Sequence, residues 1–390
     1  MLSPAVPSLL KDLNERRVFE LVRAEHPLSR AQIARRAGIS KPTASLALQS
    51  LLEARLVREL DGDGRARLVE PEPSAAHVLT LDIGARFLRG AIANIVGDVL
   101  ARRDVEVAGA SASEVMQLIA RLRNELVVEA GVHALALAIA GATGVLDPAT
   151  GRLQLAAALE GLGGFPIAAE LHAVLDLPVR VENDTNLAAL GEQWRGAGQG
   201  VADFAFLSIG TGLGAGIVLR GELHRGYRGA AGELDFAVEG GLDSPHDPST
   251  HGLLQLVAGL AESAELATRL QPPYEARAIF AAARDGDPLA RLAVEREGER
   301  IARYVAPLAA VADVELVVLG GGIGRNGDLL IEPMQRALTR AVPFPPRIEV
   351  SALGNESVLT GALAVALREA VDAVFLRSRT RSQPLERTAR

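Results

Sequence analysis

The stretch SIGTGLGAGIVLRG, Ser208 to Gly221, sets five glycines among small and apolar residues, so its backbone can approach a ligand closely with amides free to donate. A nucleotide phosphate suits such a loop, and so does a turn kept only for shape. A second glycine pattern, Gly322-x-Gly324-x-x-Gly327, follows an apolar run. With Glu349 about twenty residues further on, it has the spacing of a dinucleotide-binding turn. The third set is basic and polar: Arg30, Lys41, Pro42, Thr43, Ser45, Gln49, Arg65 and Arg67. From Arg30 to Leu52 the chain holds Arg30, Arg35, Arg36 and Lys41 and no acid. That composition fits a nucleic-acid face, and equally a solvated helix face.

Composition narrows the chemistry available. The chain has 390 residues and 48% hydrophobic content, enough to bury two or three domains. There are no cysteines, which excludes disulfides and thiolate catalysis and leaves any zinc to His and carboxylate ligands. No apolar run is long enough to span a bilayer and MLSPAVPSLLKDLNERR lacks a signal pattern, so a cytoplasmic protein without membrane contact is expected. The net charge of -7 is uneven, because residues 1–73 carry twelve basic and ten acidic residues while the rest is strongly acidic. A locally basic end on an acidic chain can hold nucleic acid without making the whole surface adhesive.

The elements that must position these residues can be read from the pattern. LNERRVFELVRAEHP carries a helical apolar stripe, Leu13, Val18, Phe19, Leu21 and Val22, that stops before Pro27. SRAQIARRAG reads as a second helix, with Ser29 and Gln32 at capping-box spacing and Gly38 placed to end it left-handed. A third helix runs from Ser40 to about Ala54, with Pro42 in its first turn and Leu46, Leu48, Leu51 and Leu52 along it. Strands Leu56–Leu60 and Arg65–Val69 around Asp61-Gly62-Asp63-Gly64 complete a winged helix-turn-helix over residues 1–72. Lys41, Thr43, Ser45 and Gln49 then face a major groove, with Arg65 and Arg67 on phosphate or minor groove. The same helices and hairpin would also serve a dimerisation or protein-docking module. Pro71 and Pro73 mark a short stiff linker.

Beyond the linker the chain repeats itself. LDIGARFLRGAI (Leu81–Ile92) recurs as LSIGTGLGAGIV (Leu207–Val218) at a constant offset of 126 residues, each continuing into a turn and another strand. ALALAIAG, ending at Gly141, and VELVVLGGG, ending at Gly322, read as buried strands preceded by helices. Two similar α/β lobes around a cleft follow, an actin-like, sugar-kinase-like (RNase H-like) arrangement. The expected lobes are 76–190, with a helix at 356–376 returning to it, and 191–355; Arg377–Arg390 forms a basic disordered tail. The duplicated meander speaks against the dinucleotide reading of Gly322–Gly327.

On LDIGARFLRGAI, VENDTNLAALGEQWRGAG, LSIGTGLGAGIVLRGELHRGYRGAAGELDF and LGGGIGRNGDLL, the chain resembles the ROK family over about residues 9–376. That family groups sugar-responsive repressors with sugar kinases, and the winged helix in front points to its repressor branch. The resemblance implies that Asn183 fixes a sugar hydroxyl and that Asp184 holds the place of the general base. Capping of the helix Thr185–Arg195 is the plainer role for the pair. It also makes Glu233, Phe236 in place of a histidine, Gln255 in place of a glutamate, and Gly141 ligand-site positions.

Two family features are altered. After Asp82 and Gly84 come Ala85, Arg86 and Phe87 where phosphate-binding groups belong, and the zinc-binding cysteines are missing from GLDSPHDPSTHGLLQL. His246, His251, Asp243 and Asp247 there read as loop residues rather than a substitute metal site. The expectation is therefore a repressor with no catalytic residue, cofactor or metal. It binds operator DNA and a carbohydrate ligand as a homodimer or homotetramer. The alternative is an active ATP-dependent sugar kinase with an added DNA-binding domain.

Overall fold

The computed structural model describes residues 6–60, 67–154, 164–237, 246–263 and 266–382, with backbone alone for 6–9 and 376–382. The first unit comprises α1 (Val6–Glu25), β1 (Leu28–Ser29), α2 (Arg30–Arg36), α3 (Lys41–Glu53), β2 (Val57–Leu60) and β3 (Leu68–Pro71). Ser29 accepts from the Gln32 amide while the Gln32 side chain accepts from the Ser29 amide, the expected capping box. Ser40 caps α3, Pro42 lies in its first turn, and Gly38 between the helices has φ +63°. The hairpin is displaced from expectation. Its strands pair Val57 with Pro71 and Leu60 with Leu68, so Pro71 ends a strand instead of opening the linker. β1 joins as a third strand, giving the order β1-β3-β2. The turn Asp61–Gly64 and Arg65 lie outside the described residues.

A 3₁₀ turn at Pro73–Ala75 leads into β4 (His77–Ile83), β5 (Phe87–Asn94), β6 (Val99–Glu106), α4 (Ala112–Ala130), β7 (Leu137–Ala142), β8 (Val145–Leu146), β9 (Leu153–Gln154), α5 (Ile167–Leu175), β10 (Val179–Asn183) and α6 (Asp184–Arg195). Then follow β11 (Phe204–Ile209), β12 (Leu213–Leu219), β13 (Glu222–Leu223), α7 (Thr250–Ser263), α8 (Ala276–Arg284), α9 (Pro288–Pro307), β14 (Leu316–Gly320), α10 (Gly321–Gly324), α11 (Gly327–Ala341), β15 (Arg347–Val350) and α12 (Ser357–Ser382). The two five-stranded sheets, β10-β7-β4-β5-β6 and β15-β14-β11-β12-β13, have one topology: an antiparallel meander with two parallel strands added on its first strand. The sequence repeat is thus a repeat of fold. The strands on either side of β14 run parallel to it, but the sheet as a whole is mixed and repeats the first, where the dinucleotide fold is built on an all-parallel sheet, so the dinucleotide reading of Gly322–Gly327 is not favoured. Glu349 accepts from Arg347 on its own strand.

Each sheet buries one face on its own helices. Leu79, Leu81 and Ile83 pack with α4 and α5, and Leu207, Val317 and Leu319 pack with α7, α9 and α11. The other two faces share α6. Its Leu187 and Leu190 join Val78, Ile139 and α12, whereas Ala188 and Ala189 join Phe204, Phe206 and Val318. α6 and α12 meet with almost no side chain between them: a Cβ on Gly361 would overlap the Leu187 carbonyl, and one on Gly191 the Ser357 carbonyl. Arg377–Ser382, expected in an irregular tail, continue α12 as helix, while 383–390 are outside the described residues.

Candidate functional site

β10 delivers its last residue, Asn183, to the start of α6. The Asn183 side chain accepts from the Asn186 amide at 2.9 Å and donates to the Gly144 carbonyl at 3.0 Å. It is therefore the helix cap, the plainer of its two roles. Asp184 is not the cap. Its carboxylate takes the Thr143 hydroxyl at 2.8 Å and the Thr185 amide at 2.8 Å, and burial pushes its pKa up.

Asp184 shares its field with two other acids. Glu233 is raised by burial and by the charges of Asp235 and Asp184. Asp82 is raised to about 6, burial and the Asp184 charge outweighing the ion pair it makes with Arg89 at 2.7 Å. Asp184 thus lies within electrostatic reach of Asp82 on β4 and of Glu233 in the segment after β13.

Other expected ligand positions sit differently. Gly141 is a packing glycine: a Cβ there would press on Val358 and Leu187 close behind Asp184, so it supports the site from the back. Phe236 is 61% exposed, and Gln255 is exposed on α7, its amide donating to His251 Nε2 at 2.8 Å. Both point to solvent here rather than into an enclosed pocket. Three groups were missed: Thr143, which holds Asp184; Arg89; and Arg225, which reaches from the segment after β13 to Glu182 of the first sheet at 2.7 Å. Arg89 had a legible signal, since it lies directly opposite Asp82 once the β4–β5 hairpin is registered.

The two glycine turns differ as their sequences do. Around the first, the Gly84 amide bonds the Phe87 carbonyl, and the Phe87 ring has the guanidinium groups of Arg86 and Arg89 each 5.3 Å from its centre. Around the second, a Cβ on Gly212 meets nothing and one on Gly210 meets only the Gly322 amide. This turn is open, and the tertiary fold sets it beside the glycines of α10. The donors for the family zinc do not fit that metal: cysteines are absent, Phe236 replaces the histidine, Asp247 bonds Ser249, and His251 bonds Gln255. Asp243 is outside the described residues. Among the described residues no group of three or more acids and histidines is arranged to hold a metal.

On the winged helix, Lys41, Pro42, Ser45 and Gln49 are exposed along one side of α3. Thr43 is half-buried, its hydroxyl 2.7 Å from that of Ser40. Arg30 and Arg67 both donate to Glu59, at 2.7 and 2.6 Å, so these two candidate DNA contacts are held by one carboxylate.

The ROK family model matches residues 78–369, and a MarR family model matches residues 12–66. A xylose repressor of Caldicellulosiruptor bescii is 26% identical over 93% of this chain and 97% of its own length. A glucokinase of Halalkalibacterium halodurans is 33% identical over 57% of this chain and 73% of its own. Among solved structures, a ROK family transcriptional regulator described as a homologue of the E. coli MLC protein superposes with a TM-score of 0.79 at 20% identity, covering 96% of this chain and all of that one. A ROK hexokinase from Thermus thermophilus gives 0.62 at 29% identity, covering 76% of this chain. No helix among the described residues is long and apolar enough to cross a membrane. With matching sheets, a matching site segment and a family model spanning most of its length, the chain belongs to the ROK family.

Proposed function

We propose that this protein is a DNA-binding transcriptional repressor whose sugar-kinase-like domain senses a carbohydrate without phosphorylating it. We divide it into a DNA-binding unit over 1–72, a lobe over 76–190 with the helix 356–376, and a lobe over 191–355. The observation that carries the reading is the way the winged helix is joined, through α12, to the helix that starts at Asp184. Phe19 of α1 packs edge-on against Phe375 of α12, ring centres 5.9 Å apart, and Arg16 pairs with Asp372 at 2.6 Å. α12 in turn lies against α6, which begins at Asp184. A ligand that reorients α6 therefore acts on the DNA-reading unit through two closely packed helices.

A sugar hydroxyl donates to Asp184, with Glu233 as second acceptor; closing the lobes over it shifts α6 and α12 and with them the paired winged helices of a homodimer or homotetramer. Loss of register with two half-sites releases the operator. Phosphoryl transfer is disfavoured because Arg89 pairs with Asp82 and the first glycine turn carries Arg86 and Phe87 where phosphate-binding groups belong. The intact Asp184 and the open turn at Gly210–Gly212 favour the kinase alternative.

One set of assays separates the two readings. DNA sites are selected from a random pool, release is titrated with a panel of sugars, and the same panel is tested for ATP-dependent phosphorylation. Selected sites released by a sugar that is not phosphorylated support the proposal. Turnover of order 1 per second or faster would establish the kinase.

A further inference from the structure

We propose that Leu46 reads the 5-methyl group of a thymine in each operator half-site; the inference rests on the DNA-binding reading above. Ala44, Ala47, Leu48 and Leu51 of α3 are buried in the winged-helix core, whereas Leu46 is 65% exposed on the opposite side. Pro42, Ser45 and Gln49, which share that side at helical spacing, are exposed around it. A single exposed leucine needs no explanation by itself. This one stands at the middle of the surface a winged helix presents to a major groove.

The neighbours leave it little competition. The Thr43 hydroxyl is engaged with Ser40, and the Gln49 amide donates to Glu53 at 3.0 Å. Ser45 and Leu46 remain exposed at the centre, and Lys41 supplies charge at the helix start. Among base edges in the major groove the thymine methyl is the apolar feature. A protein partner is the rival occupant. It would need an apolar patch, yet among the described residues Leu46 is the one large hydrophobic side chain exposed on α2 or α3. One methyl matches one leucine, and the basic, acid-free sequence from Arg30 to Leu52 suits DNA.

The test uses the full chain and sites selected from random DNA. Each thymine of a half-site is replaced in turn by deoxyuridine, which removes the methyl and nothing else. One position should then lose about fourfold in affinity, the effect of one buried methyl group. Leu46→Ala should bind the thymine site more weakly and be indifferent to deoxyuridine at that position. Its melting temperature should match the parent, since the site is exposed and alanine favours helix. The proposal is overturned if no deoxyuridine matters to the parent, if Leu46→Ala keeps the same penalty, or if Leu46→Ala changes self-association and leaves DNA binding intact. Selection that enriches no site would bring down the DNA-binding reading itself, a separable outcome.

Discussion

Asp184 is the residue on which enzyme and sensor readings diverge. In a sensor it only accepts hydrogen bonds, so Asp184→Asn should shift the sugar concentration for operator release about ten- to a hundredfold upward. Melting should change little, because Asn183 is the cap and an asparagine at 184 can still accept from the Thr185 amide. An unshifted release curve would place the effector elsewhere. Glu297 on α9 makes a second case. It is fully buried, bonded to Arg300 at 3.2 Å through one oxygen, and its other oxygen has no partner. Burial outweighs Arg300 and raises its pKa to about 8. An unfolded glutamate titrates near 4.3, so the native state holds the extra proton between the two values. Stability from this group is complete below about pH 4 and is lost as pH rises through about 8, a factor of about ten in the folding equilibrium per pH unit. The melting temperature of Glu297→Gln should therefore gain on the parent from pH 5 to 8 and hold its lead above that. A constant difference would show that Arg300 keeps Glu297 ionised.

Among elements, the wing shows how the fold tempers its own charge. Glu59 on β2 is held below the usual carboxylate range by Arg67 and Arg30. Glu59→Gln should free both guanidinium groups, raise affinity for random DNA at low salt severalfold and steepen the salt dependence by about one to two ions. Unchanged random-DNA binding would mean that neither arginine reaches phosphate. The α6–α12 crossing is set by glycines instead of charges. A methyl group at Gly361 has to displace the Leu187 backbone, so Gly361→Ala should cost about 1 to 3 kcal/mol of stability, read as a lower melting temperature. An unchanged melting temperature would show that the two helices separate easily and transmit little.

For the whole molecule, the question is whether the DNA-binding unit and the sugar cleft communicate through α12. Phe375→Ala removes the aromatic contact with Phe19 while leaving the cleft and the α3 surface intact. Sugar affinity and operator affinity, each measured alone, should stay near the parent values. The sugar needed for half-release should rise about fivefold or more, the size of a typical coupling energy. If release follows the parent curve, the Phe19–Phe375 contact does not carry the coupling.

Much of this was written locally. Ser29 with Gln32, Gly38 and Ser40 fix the ends of two short helices because caps act within one turn, and the repeat at Leu81 and Leu207 announced two sheets of one topology because a repeated sequence keeps its strand pattern. The bulky residues of the first glycine turn, Arg86 and Phe87, were visible in the sequence alone. Distance in sequence hid the rest. Nothing local tells that Arg225 reaches Glu182, that Glu59 holds Arg30 and Arg67, that Gly210 faces Gly322, or that Phe19 meets Phe375. The apolar positions of α3 illustrate the boundary: the sequence makes Leu46 and Leu48 alike, and the surrounding helices bury one and leave the other to solvent. Side-chain type and spacing are properties of the chain, but which face is covered, and which charge finds a partner, is settled only when distant segments pack together.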